Sequence, residues 1–435
     1  MRGLPAGTGD AAGSGGHGSG GAVGAGSGGV NGPSGSFGGA TPVILPGSGG
    51  AMPVTPGGSG GAPVSGASGG TPGSAGAAPS SGSGGQSGLA GSSGSTAAAG
   101  KTGSSGGAGP SVPAGPVPAT DPATRMKCTG TNPIRCDFGG AVGNYDVTVV
   151  LGGAAAGNTI AQAELGRVML PTIVTAAGET QTFSFSVNVR QPEGEPIQAR
   201  PTTGTPGLDV YFTGTAPQLK EIGYKVAPSP FMIYIAGDST VCDQPAGLGG
   251  WGQSLPQFFD FPVSVANYAD SGESSASFLR SASLFGAITS RLKAGDWVFI
   301  QLGHNDKTIA ATAFHDNITQ LVTGTKAKGG FPLLLTPISR ASFNGNVLGP
   351  QHINSTGANL PMIIKQVAME QNVPVIDLTA LTTTWLNGLG PNGYQAFFGG
   401  TQVTHTNVAG ANVIAGLVRD AIKELNITAL TAHLR

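Results

Sequence analysis

Hydrophobic and polar positions alternate with a period of two in several segments of this chain. In residues 182–189, apolar Phe and Val alternate with Thr, Ser and Asn, and residues 208–212 and 222–226 repeat the alternation. Residues 145–151 are a further strand candidate. A period of two is typical of a strand with one buried face. About 100 residues of such short strands, separated by Gly and Pro turns, predict a β-sandwich.

The pattern changes after residue 230, where continuous apolar runs alternate with helical spacing. Apolar positions recur at helical intervals in residues 278–292 and 414–425. Strands alternating with helices predict an α/β domain with a parallel sheet, in which ligands bind beyond the carboxyl ends of the strands. The runs expected to form these buried parallel strands are 231–236, 263–267, 297–302, 332–335 and 373–378.

Neither pattern is present in residues 1–120. This segment holds 41 of the 77 glycines but only three of the 43 charged residues and one of the 26 aromatics. Such a composition cannot bury enough apolar surface to offset chain entropy, so we expect a disordered Gly/Ser/Ala/Pro linker over residues 1–124. The β-sandwich is then expected over 125–228 and the α/β domain over 229–435.

Charge and hydropathy exclude several classes of protein. The net charge of −1 argues against a basic nucleic-acid surface, and no apolar run is long enough to span a membrane. Residues 1–30 lack the apolar core of a signal peptide, so either the true start lies upstream or the protein has no leader. Cys128 and Cys136 are close enough in sequence to pair in an exported protein, which leaves Cys242 over.

The first strand of the α/β region ends in Gly237-Asp238-Ser239, which places a serine at the edge where such sheets bind ligands. A serine nucleophile needs a base, because its hydroxyl is weakly nucleophilic at neutral pH. Of six histidines, His304 and His405 both follow elements that end at this edge, and either one fits the role. His304 with Asp306 is a weak metal pair without a third ligand, so no metal site is predicted.

Acyl transfer also needs hydrogen-bond donors for the oxyanion that forms on the ester carbonyl. Asn305 follows the strand 297–302 and offers a side-chain amide at the right level of the sheet. Gly272 follows the strand 263–267 and can bring its backbone N–H close to a ligand. The N–H of Ser239 is a third donor. Each donor of this kind contributes about 10²–10³ in turnover.

The order of these motifs resembles that of the SGNH (GDSL-type) hydrolases. Ile235-Ala-Gly-Asp-Ser-Thr-Val-Cys-Asp243, Gly250-Trp-Gly-Gln253 and Gly303-His-Asn-Asp306 look like the rhamnogalacturonan acetylesterase branch of that family. The resemblance covers residues 230–427. The region before it is similar to the galactose-binding-like β-sandwich that often precedes this catalytic domain.

The resemblance implies a three-layer α/β/α, flavodoxin-like fold that hydrolyses acetyl esters without a metal or other cofactor. By position, Ser239 would be the nucleophile and His405 the general base. Ser239, Gly272 and Asn305 would form the oxyanion hole, and Asp238 and Asp306 would hold the loops in place. Cys242 would be a packed thiol.

Two positions depart from the family pattern. The family has an Asp three residues before the histidine, and this chain has Gln402, whose carbonyl accepts a hydrogen bond but carries no charge. In a serine-protease triad, replacing the acid by its amide costs about 10⁴ in turnover. Glu273 stands where many relatives have Arg, which reverses a charge beside the oxyanion hole and disfavours an anionic neighbour.

These observations favour a monomeric serine esterase that removes acetyl groups from plant cell-wall polysaccharide, foremost the rhamnogalacturonan part of pectin. The alternatives are a polysaccharide-binding protein with a weakened esterase site, and an esterase for another acylated glycan or for small esters. A polymeric substrate implies an extracellular or cell-surface location. The β-sandwich either binds sugar or packs against the esterase domain.

Overall fold

The computed structural model describes residues 117–190, 206–245 and 247–435. Most of the linker expected over residues 1–124 lies outside these ranges, and that expectation stays a prediction.

The last residues of the expected linker, from 117 onward, lie on the folded part of the chain. Asp121 accepts a hydrogen bond from the N–H of Ala123 at 2.9 Å and so caps a short helix, α1 (Pro122–Arg125). Thr120 donates its hydroxyl proton to Glu221 at 2.7 Å. Proline at the first helical position and aspartate at the cap explain why a helix begins here.

The described residues form two large sheets and one small hairpin. In chain order the strands are β1 (Cys128–Thr129), β2 (Ile134–Gly139), β3 (Gly143–Gly152), β4 (Gly157–Ala163), β5 (Arg167–Val168), β6 (Ile173–Thr175), β7 (Thr180–Val189), β8 (Leu208–Ala216), β9 (Leu219–Val226), β10 (Phe231–Gly237), β11 (Val263–Asn267), β12 (Trp297–Gln301), β13 (Phe331–Leu335), β14 (Phe343–Asn344), β15 (Val347–Leu348) and β16 (Val375–Ile376).

The larger sheet runs through both of the regions that the sequence separates. Its order is β16-β13-β12-β10-β11-β7-β3-β9, parallel from β16 to β7 and antiparallel from β7 to β9. The two regions join where β11 pairs with β7, with Val265 opposite Val187. The boundary expected between residues 228 and 229 is therefore a chain connection within one continuous sheet.

The second sheet covers one face of the antiparallel part of the first. Its order is β1-β2-β8-β4-β5, with β6 paired to β4. Side chains from both sheets enclose one apolar core, which includes Val149, Phe185 and Phe212. A disulfide joins Cys128 on β1 to Cys136 on β2. The likeness of this layer to galactose-binding domains stays a prediction.

Helices cover both faces of the parallel strands. They are α2 (Trp251–Ser254), α3 (Ser275–Arg280), α4 (Phe285–Arg291), α5 (Ala311–Lys326), α6 (Leu360–Glu370), α7 (Leu378–Gly393), α8 (Val408–Glu424) and α9 (Thr428–Thr431). Tyr234 of β10 points into a core shared with α3 to α6, whereas its neighbours Ile233 and Ile235 point into a core shared with α2, α7 and α8. This is the α/β domain with a parallel sheet expected from the alternating pattern, in the three-layer α/β/α arrangement that the resemblance implies.

The structure differs from the sequence expectations in local detail. The run 373–378 contributes only the two residues of β16, and the helical spacing of 278–292 is divided between α3 and α4. The half-buried strand expected over 182–189 is buried on both faces in its second half, where Ser186 donates to Asp146 at 2.7 Å and Asn188 to Asn144 at 2.9 Å on the polar face. Among the helices of the described ranges, none is both long and apolar enough to cross a membrane.

Candidate active site

Ser239 lies in a tight turn at the carboxyl end of β10. The N–H groups of Val241 and Cys242 both donate to the carbonyl oxygen of Asp238, at 3.0 and 3.1 Å. The turn places Ser239 beyond the edge of the sheet, with 9% of the residue exposed. A serine in this place faces the crevice where α/β sheets bind ligands.

The turn is held from below by the start of α2. A Cβ at Gly250 would overlap the backbone of Val241 and Cys242, so only glycine permits this approach. The indole N–H of Trp251 donates to Gln301 at 2.8 Å, and the Gln301 amide donates to the Thr240 hydroxyl at 2.9 Å. These buried hydrogen bonds fix the turn against β12.

His405 completes the contact with the serine. Its Nε2 lies 2.9 Å from Ser239 Oγ, and its Nδ1 lies 2.7 Å from Gln402 Oε1. Because an amide oxygen only accepts, Nδ1 carries the proton and Nε2 is the acceptor for the serine hydroxyl. The loop is anchored by Asn407, which caps α8 by accepting from the N–H of Gly410 at 3.0 Å.

The environment of His405 favours the neutral imidazole. Burial lowers the pKa of His405 below its ordinary value of 6.5, and the positive charge of Arg340 lowers it further. A neutral imidazole is the form that accepts a proton, so the histidine is ready to act as a base at neutral pH.

His304, the other histidine that fitted the role of base, is placed elsewhere. Its ring is 2% exposed and makes an edge contact with His352, with 4.6 Å between ring centroids. Burial, followed by the charges of His352 and Arg340, holds the pKa of His304 well below its ordinary value. The structure therefore brings His405 and not His304 to the serine. His433, near the end of the chain, is buried against Phe231.

The three expected oxyanion donors come from three neighbouring loops. Gly272 has a φ of +85°, a conformation that L-residues with a Cβ rarely adopt. Asn305 donates one amide proton to the carbonyl oxygen of Glu273 at 3.0 Å, which ties its loop to that of Gly272. The second amide proton of Asn305 is then available to a ligand. Glu273 is 5% exposed, and its backbone carbonyl oxygen is the group that accepts from the Asn305 amide.

The two aspartates of the motifs hold backbone and hydroxyl groups beneath the loops. Asp238 accepts from the N–H and the hydroxyl of Thr240, at 3.0 and 2.7 Å. Asp306 accepts from the N–H of Ser275 at 3.0 Å and from its hydroxyl at 2.7 Å. Burial raises the pKa of Asp238 to about 6, although the hydrogen bonds from Thr240 lower it. Burial also raises the pKa of Asp306.

Sequence reasoning missed Arg340, which links the loops around the site. Its guanidinium donates to Thr404 Oγ1 at 2.6 Å and to the carbonyl oxygen of His304 at 2.9 Å. The positive charge near His405 follows from this placement. The one feature of the sequence that could have pointed to Arg340 is its position beyond the carboxyl end of the strand 332–335.

Sequence reasoning also missed a buried ion pair that supports the loop following Ser239. Arg167 at the start of β5 lies 3.0 Å from Asp243, and both side chains are at most 1% exposed. Asn267 donates to the same carboxylate at 2.9 Å. The Gln244 amide donates to the carbonyl oxygen of Ser239 at 2.6 Å. The second sheet therefore contacts the loop that follows the serine.

Among the described residues, no group of three or more His, Cys, Asp or Glu side chains is arranged to hold a metal ion. What the site offers is a hydroxyl, a neutral imidazole oriented by an amide, and a set of N–H donors.

Comparison with known proteins places this geometry in a family. Residues 235–413 match the model of the GDSL-like lipase/acylhydrolase family. The rhamnogalacturonan acetylesterase RhgT of Bacillus subtilis (strain 168) is 34% identical over 225 residues, which are 47% of this chain and 94% of that protein. The uncharacterized esterase YxiM of the same organism is 28% identical over 295 residues, 66% of this chain and 73% of the relative.

Among solved structures, the crystal structure of the Bacillus subtilis protein YxiM aligns with a TM-score of 0.44 and 26% identity, covering 72% of this chain and 88% of that one. The sequence match to RhgT spans 94% of that relative. The residues matched by the family model, 235–413, include Ser239, Asn305 and His405. The chain therefore belongs to the GDSL-like lipase/acylhydrolase family.

Proposed function

We propose that this protein is a serine esterase that removes acetyl groups from plant cell-wall polysaccharide, with the rhamnogalacturonan part of pectin as the first candidate substrate. The observation that supports it most is the chain of contacts from Ser239 Oγ to His405 Nε2, at 2.9 Å, and from His405 Nδ1 to Gln402 Oε1, at 2.7 Å. Relatives named as rhamnogalacturonan acetylesterases favour the acetyl-sugar substrate.

The proposed mechanism uses two transfers of the acetyl group. His405 Nε2 takes the hydroxyl proton as Ser239 Oγ bonds to the ester carbonyl carbon, and the carbonyl oxygen becomes an oxyanion. The N–H groups of Ser239 and Gly272 and the amide of Asn305 stabilise this charge. The intermediate collapses as the imidazolium returns the proton to the departing sugar oxygen. Water then attacks the acetyl-serine as His405 takes one of its protons. The imidazolium returns this proton to Ser239 Oγ as the bond to the acetyl carbon breaks, and acetic acid leaves and ionises to acetate.

Replacement of the nucleophile tests the proposal. Ser239→Ala is expected to abolish hydrolysis of p-nitrophenyl acetate, whereas Ser271→Ala, which removes a neighbouring hydroxyl, retains it. A fluorophosphonate should label Ser239 in the native protein and not in the variant. Unchanged turnover in Ser239→Ala would sink the assignment.

A second candidate, a polysaccharide-binding protein with a weakened site, is favoured by one observation. Gln402 is an uncharged acceptor where the resembling family has an acid, so the imidazolium lacks a carboxylate partner at Nδ1. Binding to acetylated pectin without fluorophosphonate labelling would favour this reading. Acetate release across a panel of acetylated pectin, xylan and small esters would assign the substrate class.

The proposed substrate also implies where the protein acts. A polymeric cell-wall substrate places the protein outside the cell or on its surface. We expect a monomer, which sedimentation of the purified full chain would check.

A further inference from the structure

A cleft of about 470 Å³ separates the second sheet from the loops around the candidate site. We call it the interlayer cleft. One wall comes from β2, β4 and β8, with Arg135, Gln162 and Tyr211 on it, and the other includes Gln244 and Leu248 from the loop after the nucleophile. Its volume is within the range of small-molecule sites, about 300–1,000 Å³.

The cleft borders both loops that carry the reacting groups. Gln244, on its wall, donates its amide proton to the carbonyl oxygen of Ser239 at 2.6 Å. Leu248, also on its wall, packs against Gly399, whose N–H donates to the carbonyl oxygen of His405 at 3.0 Å. A group bound in the cleft would therefore lie beside the site and not on a remote surface.

The lining suits a ligand with hydroxyl groups and an apolar face. Amides line it at Gln162, Gln244 and Gln253, and apolar side chains line it at Leu248 and Val408. The ring of Tyr211 also borders the cleft and is flanked by the guanidinium of Arg135, 5.2 Å from its centroid. An aromatic ring beside amides and charged groups combines apolar contact with directed hydrogen bonds, which is what a sugar ring requires.

The charged groups of the lining are mostly acidic. Asp137, Glu164 and Asp209 supply three carboxyl groups, and Arg135 supplies one guanidinium. Asp209 and Glu164 are 7% and 5% exposed, so water screens charge there poorly. Burial raises the pKa of Glu164 to about 7 and Arg167 lies 3.9 Å from its carboxylate, so Asp137 and Asp209 carry most of the negative charge of the cleft. A uronate carboxylate placed here would meet like charge, which disfavours its binding.

We propose that the interlayer cleft binds an uncharged sugar ring of the acylated glycan, next to the ring whose ester is cleaved. The inference rests on the proposed function and narrows its substrate: a neutral sugar occupies the cleft even where the polymer also contains uronates. The second sheet then contributes directly to substrate recognition.

The first test compares a substrate that reaches the cleft with one too small to do so. For Tyr211→Ala, the ratio of kcat/KM on acetylated xylo-oligosaccharides to that on p-nitrophenyl acetate is expected to fall about tenfold, mainly through KM. The matched control is Phe331→Ala, because Phe331 is a half-exposed aromatic at the opposite end of the strands. Its ratio should equal that of the native protein. An unchanged ratio in Tyr211→Ala would overturn the proposal.

The second test concerns charge. At low ionic strength, the native protein should be inhibited by xylotetraose and much less by tetragalacturonate. Asp137→Asn, at the exposed rim of the cleft, should increase inhibition by tetragalacturonate about two- to threefold, and Glu424→Gln on α8 should not. Stronger inhibition of the native protein by tetragalacturonate than by xylotetraose would contradict the proposal.

Failure of the proposed function would be seen separately. A protein that neither hydrolyses p-nitrophenyl acetate nor reacts with a fluorophosphonate is no serine esterase, whatever the cleft binds. Calorimetry with xylotetraose on Ser239→Ala then decides about the cleft alone. Binding that is weakened by the further change Tyr211→Ala supports it, and absence of binding at millimolar concentration overturns it.

Discussion

Gln402 shows how one residue can keep a geometry while changing its electrostatics. Its Oε1 accepts from His405 Nδ1 at 2.7 Å, as a carboxylate would, and so selects the tautomer that can accept the serine proton. The large cost of an acid-to-amide change in serine proteases comes mainly from the wrong tautomer. Here the tautomer is right, and what is missing is the negative charge.

The first prediction at this scale follows from that difference. Gln402→Asp is expected to raise kcat about tenfold at pH 8, since a carboxylate stabilises the imidazolium formed in each step. Gln402→Leu should lower kcat about a hundredfold, because the imidazole then loses its orienting acceptor. Steady-state hydrolysis of p-nitrophenyl acetate measures both. A fall in kcat for the aspartate variant would contradict this reading.

A second prediction concerns pH. Because burial and then Arg340 lower the pKa of His405, the base stays neutral to a lower pH than an exposed histidine would. The acidic limb of the kcat/KM profile is therefore expected below pH 6.5. Arg340→Met should move this limb to higher pH, since it removes a charge that disfavours the imidazolium, and Arg340→Lys should move it less. A limb that stays in place in Arg340→Met would argue against the electrostatic role.

At the scale of elements, the site depends on how loops are attached to helix starts. Asp306 binds the N–H and hydroxyl of Ser275, the first residue of α3, and the neighbouring Asn305 binds the backbone of Glu273. Two donors of the proposed oxyanion hole, the Gly272 N–H and the Asn305 amide, are thereby held in one arrangement.

Removal of that attachment is the third prediction. Asp306→Ala is expected to lower the free energy of unfolding by about 1–3 kcal/mol, because buried donors lose their acceptor. It should also lower kcat about tenfold, with Asp306→Asn intermediate. Urea unfolding and p-nitrophenyl acetate hydrolysis measure the two effects. Asp316→Ala, an exposed carboxylate on α5, is the control and should change stability by less than about 0.5 kcal/mol.

At the scale of the whole molecule, the second sheet and the α/β layers are joined by buried charge as well as by strand pairing. Arg167 pairs with Asp243 at 3.0 Å, four residues beyond Ser239, and its Nη1 donates to the carbonyl oxygen of Val265 on β11 at 3.3 Å. Breaking such a pair leaves a charge buried without compensation, which costs more than the pair itself contributes.

The fourth prediction is therefore that Arg167→Met lowers the free energy of unfolding by about 3–5 kcal/mol. Adding Asp243→Asn should recover part of the loss, because the unpaired charge is then removed. Arg419→Met, which breaks the exposed pair with Asp420 at 2.8 Å, is the control and should cost about 1 kcal/mol or less. Denaturant unfolding of all three measures this. Equal losses for Arg167→Met and Arg419→Met would refute the buried role.

The local pattern of the sequence was enough to place most strands and helices and to name Ser239, Gly272 and Asn305, and it left His304 and His405 as the two candidate bases. The period of the hydrophobic positions reflects which side of a strand or helix is buried, so it can be read locally. The site motifs come directly after the strands, so they are also local. The sequence alone therefore determined the elements of the α/β layers and the edge at which the chemistry is expected.

Only the tertiary structure decided which distant groups meet. It selected His405 over His304 and placed Arg340 beside the imidazole. It joined β7 to β11 in one sheet and paired Arg167 with Asp243. These contacts join residues far apart in the chain and depend on how the layers pack. That packing cannot be predicted from the local period or spacing of residues.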